Sequence, residues 1–150
     1  MQPIRYQLYI GAAPEKVWDV LFSPEGTKAT FYGCVIRSTF EVGGRMEYVG
    51  PGQDGEETVH VYGDILAFEP NRKFAYTEHP GPSYNPNHAE LTTRVTITLE
   101  PAGACTKLIL INDEWPDEHP SRANAEEGWS VILSNVKTYA ETGKTLDLGW

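Results

Sequence analysis

"GWSVILSNVKTYAETG", residues 128–143, is the stretch on which the fold turns. Its apolar side chains Trp129, Ile132, Leu133, Val136, Tyr139 and Ala140 recur at the spacing of one helical face. Gly143 supplies a C-terminal stop. Upstream, Asn124 with Glu127 resembles a capping pair, and Glu126 and Glu127 suit the positive end of the helix dipole, so the sequence predicts a helix over 123–142. An apolar stripe this wide must be buried. It either completes a solid core or closes over a chamber.

Working outward, the period changes to two. Strand-like runs occur at GCVIRSTFEV, GRMEYVG, ETVHVYGDILAFE, RKFAYTEH, ELTTRVTITLE and TKLILINDEW, separated by turn chemistry at Gly43-Gly44, PGQDGE, EPN, HPGPSYNPNH and PAGA. In LTTRVTITL the positions Leu91, Val95, Ile97 and Leu99 alternate with polar residues, as in an antiparallel strand with one wet face. IRYQLYI, residues 4–10, is a further strand. Pro14 then opens a short helix carrying Val17, Trp18, Leu21 and Phe22, and Ser23-Pro24 opens a second, running to about Thr30. A seven-stranded sheet with one wet face needs a large apolar body on the other. The final helix is the one long enough.

The totals fit that plan. With 150 residues, 40% hydrophobic and 22% charged, the composition is that of a globular chain expected to form a single domain over 1–150. A net charge of −9 and only 12 Lys and Arg argue against general affinity for nucleic acid or anionic membrane. The N-terminal segment does not read as a secretory signal, and no apolar run is long enough to span a bilayer, so a cytoplasmic protein is expected. Cys34 and Cys105 have no metal or redox spacing and read first as two reduced, partly buried thiols, with a single disulfide as the alternative.

VGGRMEYVGPGQDG, then YGDILAFEPNRKFAYT, then GWSVILSNVKTYAETG resembles the AHSA1-like branch (activator of Hsp90 ATPase homologue 1-like) of the START/Bet v 1 (SRPBCC) superfamily, from APEKVWDVL to the last helix. The resemblance implies an α+β helix-grip fold: a curved seven-stranded antiparallel sheet around a long C-terminal helix, with two short helices after the first strand. It also implies a cavity between helix and sheet for hydrophobic or amphipathic molecules such as lipids, sterols and polyketides. Many relatives carry an aromatic residue at the position of Glu78 and histidine at that of Asn112. The family has no universal catalytic motif, so none is carried over.

Strand parity proposes which residues face such a cavity. Starting from Leu66/Phe68 and Phe74/Tyr76, the inward set becomes Met46 and Tyr48, then His60, Tyr62 and Asp64. It continues through Glu78, through Leu91 to Leu99, and through Leu108, Leu110, Asn112 and Glu114. Gly63 is a candidate bulge that would flip what precedes it. Trp129, Leu133 and Val136 face the sheet from the helix. The apolar members read first as core. The polar ones, Asp64, Glu78, His60 and Asn112, have three readings: a wet mouth with Arg or Lys partners, a pocket for a polar or cationic ligand group, or a general acid/base. His60, His79, His88 and His119 show no metal spacing, and no metal or other cofactor is expected. HPGPSYNPNH and EWPDEHPSR are long enough to act as binding loops or gates.

The sequence therefore predicts a protein that binds a small hydrophobic or amphipathic ligand. Phe74, Tyr76 and the helix would supply walls, with Asp64, Glu78 and Asn112 orienting the guest. The alternatives are an enzyme of cyclase, hydrolase or dehydratase type using the same cavity, and an Hsp90-type co-chaperone. Neither nucleic acid nor membrane insertion is expected, and both monomer and homodimer stay open.

Overall fold

The structure, a computed structural model, describes residues 1–149. β1 (Ile4–Ile10) is followed by α1 (Pro14–Phe22) and α2 (Pro24–Thr30). Six strands come next: β2 (Val35–Ser38), β3 (Arg45–Pro51), β4 (Glu57–Glu69), β5 (Lys73–Pro80), β6 (Thr93–Ala102) and β7 (Cys105–Asp113). α3 (Arg122–Thr142) closes the fold. The strands form one antiparallel sheet in the order β1-β7-β6-β5-β4-β3-β2. This is the helix-grip arrangement that the resemblance implies, built from the sheet and the terminal helix that the alternation and the stripe predict.

Local chemistry sets the element ends. Pro24 occupies the first turn of α2, and the Ser23 hydroxyl accepts a hydrogen bond from the Gly26 N–H at 3.0 Å, satisfying one of the helix's free donors. α3 starts earlier than expected, after Ser121, so Asn124 and Glu127 lie inside its first turns and do not cap it. Gly143 ends α3 in the left-handed conformation, φ 74°, with its N–H bonded to the Tyr139 carbonyl. β2 is shorter than the sequence suggests, because Phe40 turns to φ 60° and leaves the ladder.

Two register shifts decide which side chains face α3. Between β4 and β5 the pairing slips between Ile65 and Ala67. The extra residue puts Ile65 and Phe68 on the concave face and leaves Leu66 45% exposed, whereas a regular ladder would have turned Leu66 inward. Between β3 and β4, Tyr48 pairs with Val61 and Val49 with Val59, so His60 is the unpaired residue. Gly63 is not itself the slip. A Cβ there would stand 1.6 Å from the Thr77 carbonyl oxygen, so glycine is needed for β4 to approach β5 this closely.

The core is one continuous cluster between the sheet and the three helices. Near α1 it is a nest of rings: Phe22 lies 4.9 Å from Phe74, 5.5 Å from Phe68 and 4.4 Å from Trp18, centroid to centroid. Val136 and Leu133 of α3, Met46 of β3 and Leu110 of β7 are buried in the same cluster.

Candidate functional site

Toward the N-terminal half of α3 the packing stops, and a cavity of about 570 Å³ opens between helix and sheet. Tyr48, Tyr76 and Glu78 line it from β3 and β5, with Val61 from β4. Phe31, Tyr32 and Cys34 line it from the segment after α2. α3 contributes Asn124, Ala125, Gly128, Trp129 and Ile132, and the loops on either side add Tyr84, Asn85, Trp115 and His119.

Small residues on α3 create the room. Ala125 and Gly128 present almost no side chain to the sheet where Leu133 and Val136 fill it one and two turns further on. Glycine within a helix costs about 1 kcal/mol relative to alanine, so it usually marks a packing or functional need. Here nothing lies within 4 Å of a Cβ built on Gly128. The neighbouring atoms therefore impose no steric demand for glycine at this position.

The rings form a continuous wall. Tyr48 stacks on Phe31 with centroids 5.1 Å apart, Phe31 meets Trp129 edge-on at 6.4 Å, and Tyr48 lies 6.2 Å from Tyr76. Within this wall sits Glu78, half-buried, whose Oε2 accepts a hydrogen bond from the Tyr76 hydroxyl at 3.3 Å. Among the described residues no Lys or Arg pairs with it. Desolvation by the surrounding protein pushes its carboxyl up to about 7, only partly offset by Tyr76. Burial also raises the Tyr48 and Tyr76 hydroxyls and pushes the Cys34 thiol up to about 11, so all three stay protonated. Burial lowers His119, which stays neutral with its Nδ1 accepting from the Ser121 N–H at 3.1 Å.

Of the residues singled out in the sequence, Tyr48, His60, Tyr76, Glu78 and Trp129 come together around the cavity. Met46, Phe74, Leu110, Leu133 and Val136 are buried in the closed core instead. Asp64 is a correction: the slip at Ile65–Ala67 turns it to the outer face, where it is exposed and its N–H donates to Thr77 Oγ1 at 2.9 Å. Tyr62 is likewise on the outer face, stacked on His79 at 4.8 Å with its hydroxyl bonded to His88.

Asn112 is a second correction. It is fully buried, and its amide is already committed: Nδ2 donates to Thr93 Oγ1 at 3.1 Å and the Arg94 carbonyl at 3.0 Å, while Oδ1 accepts from the Trp129 indole at 3.2 Å. The Trp115 indole donates to the Asn112 carbonyl at 2.9 Å. Asn112 therefore pins α3 and the following loop to the sheet, leaving nothing to offer a guest. Thr93, a buried polar residue between the inward Leu91 and Val95, is explained by the same network.

Both long loops reach the cavity. His60 bonds the Tyr84 hydroxyl and the Pro51 carbonyl, and His79 Nδ1 lies 3.1 Å from the His88 carbonyl, so histidines hold the 81–92 segment against the sheet. Strand parity and helical stripes alone could not have found the loop residues Tyr84, Asn85, Trp115 and His119, or Phe31, Tyr32 and Cys34. Loop length pointed to the two segments that carry the first four, and the mid-helix Gly128 is a further readable signal, because a helix has little reason to carry it. Among the described residues no group of three or more His, Cys, Asp or Glu could hold a metal ion. No helix among them is long and apolar enough to cross a membrane, and both cysteines are free thiols.

Residues 11–141 match the sequence model of a family described as Activator of Hsp90 ATPase homolog 1-like protein. Among solved structures, the chain is similar to the Aha1 dimer from Colwellia psychrerythraea, with TM-score 0.72, 20% identity, and 96% of this chain and 99% of that one covered. It is similar to an HSP90 activator from Plasmodium falciparum, with TM-score 0.70, 15% identity, and 92% and 95% covered. It is also similar to DynU16, from the dynemicin biosynthetic locus, with TM-score 0.75, 17% identity, and 97% of this chain but 49% of that one covered. At these identities the likeness is one of fold. No curated protein matches the sequence.

Proposed function

The chain belongs to the Activator of Hsp90 ATPase homolog 1-like family, and from that premise we propose that it binds a small hydrophobic or amphipathic molecule between α3 and the concave sheet. The observation that carries this reading is the cavity of about 570 Å³, walled by aromatic rings and containing a carboxyl group on one side. Its size lies within the range typical of small-molecule sites, and the mixture of apolar walls with few polar groups is what such sites use. A guest burying roughly 200 Å² of apolar surface would gain about 5 kcal/mol from desolvation, before the costs of association. Glu78 and the Tyr48 and Tyr76 hydroxyls would fix its orientation.

Native mass spectrometry of the purified protein and displacement of a fluorescent apolar probe test this reading. Binding is expected to be saturable and to be abolished by Gly128→Leu, which fills the chamber, while the circular dichroism spectrum stays unchanged. Probe binding that survives Gly128→Leu in the folded variant would place the site elsewhere and end the proposal.

One observation favours a second reading, catalysis in the same cavity. A carboxyl group held near neutrality inside an apolar chamber is suited to donate and accept a proton at working pH. On this reading Glu78→Gln would abolish turnover of a bound substrate without preventing its binding. Equal turnover by the variant would exclude Glu78 as the acid/base.

A further inference from the structure

The chemistry of the chamber restricts what it can hold. Among the described residues its lining includes no Lys or Arg, and one carboxylate side chain, that of Glu78. That carboxylate has no cationic partner among the described residues, and the hydrogen bond it receives from Tyr76 is long at 3.3 Å. The same chamber is lined by the rings of Tyr76, Tyr48, Phe31 and Trp129, joined at centroid spacings of 5.1 to 6.4 Å. A carboxylate together with aromatic faces is the combination that stabilises a desolvated organic cation, through charge pairing and through the ring quadrupoles. An anionic guest would meet the opposite: no counter-charge, and repulsion once Glu78 ionises. The net charge of −9 acts in the same direction on approach.

We infer that the guest is an amphipathic cation, an apolar or aromatic body carrying an amine or quaternary ammonium group, with the cation seated against Glu78 inside the Tyr76–Tyr48–Phe31–Trp129 wall. The inference rests on the binding function proposed above and narrows it to a class of ligand. Its pH behaviour follows. The empty protein holds the Glu78 proton up to about 7, and a cation binds the ionised form, so binding releases a proton below that point and tightens as pH rises. The other titratable groups around the chamber do not reproduce this. The hydroxyls of Tyr32, Tyr48, Tyr76 and Tyr84 and the Cys34 thiol all have raised values and stay protonated. Burial shifts His119 downward, toward its neutral form. His60, at the mouth beside Tyr84, is the remaining group, and the Glu78 variant separates its contribution.

Three probes with one aromatic body test the inference: naphthylmethylamine, naphthylmethanol and naphthylacetate, titrated calorimetrically into the wild type and into Glu78→Gln. The amine is expected to bind at least about tenfold tighter than the alcohol, and the acetate weakest of the three. Glu78→Gln is expected to erase the amine's advantage while leaving the alcohol within about threefold. Amine affinity in the wild type should rise by about tenfold between about pH 6 and pH 8, and lose that dependence in the variant. Equal binding of amine and alcohol, a preference for the acetate, or an amine preference that survives Glu78→Gln would each overturn the cationic assignment while leaving a binding cavity in place. Binding of none of the probes would overturn the cavity's binding function as well.

Discussion

The two halves of the grip are built from similar residue types but meet the helix differently. Near α1, Phe22, Phe68 and Phe74 interlock edge to face, and Leu133 and Val136 close the remaining space. Near the start of α3, Phe31, Tyr48 and Trp129 are as aromatic, yet they face a cavity of about 570 Å³. The difference comes from what faces the rings. Side chains of ordinary size on α3 close one half, and Ala125 with Gly128 leave the other open. A ring is core or pocket wall according to the volume of its partner, not according to its own hydrophobicity.

The largest test of this contrast is truncation on each side. Phe74→Ala in the closed half is expected to cost about 3–5 kcal/mol in urea unfolding, and Ile132→Ala at the cavity about 1–2 kcal/mol, because part of its surface already has no packing partner. Equal costs would mean that the open half is packed in solution. Next, Asn112→Ala should cost about 2–3 kcal/mol, since it leaves the Trp129 indole N–H and Thr93 without their buried partner. The same variant should loosen α3 at Trp129, read as faster amide exchange over 124–132.

A smaller effect depends on pH. The folded protein keeps the Glu78 proton up to about 7 while the unfolded chain releases it near 4.5, so this residue lowers stability as pH rises through that window. Glu78→Gln should therefore stabilise the protein by about 1–3 kcal/mol near pH 8 and by little near pH 5, measured as thermal midpoints at both values. An equal gain at both would show that the carboxyl ionises freely in the folded state. The smallest effect is at Gly128. Its replacement by alanine should add about 1 kcal/mol through helix propensity while weakening probe binding. Greater stability with unchanged binding would detach this turn of the helix from the site.

Much of this was legible in the sequence. The stripe from Trp129 to Ala140 and the alternation from Leu91 to Leu99 fixed helix and sheet, because each follows from a single repeating geometry. Inward parity carried correctly along β5, placing Phe74, Tyr76 and Glu78 on the concave face. It failed on β4, where one extra residue between Ile65 and Ala67 moves Asp64 and Tyr62 to the other side, while a second slip leaves His60 unpaired at the cavity. A bulge leaves no trace in hydrophobic alternation when the residues around it, such as Ile65, Leu66 and Ala67, are all apolar. Asn112 was legible as an inward polar group but not as a satisfied one, because its partners Thr93, Arg94 and Trp129 come from two other elements. The cavity wall contributed by loops lay outside any periodic signal.

α3 is held along β1 by a row of hydrogen bonds. Arg122 donates to the Gln2 carbonyl, the Tyr6 hydroxyl to the Glu126 carbonyl, Lys137 to the Tyr9 carbonyl, and the Gly11 N–H to Glu141, at 2.6 to 3.0 Å. All four stitch the helix to the hem of the first strand. On the opposite margin, at α2, the Tyr139 hydroxyl donates to Glu25 at 3.0 Å and the Phe31 ring meets Trp129 edge-on at 6.4 Å. The helix is thus fastened along both margins of the bowl. The chamber's breadth is set by that frame, and a guest would have to suit the span rather than spread it.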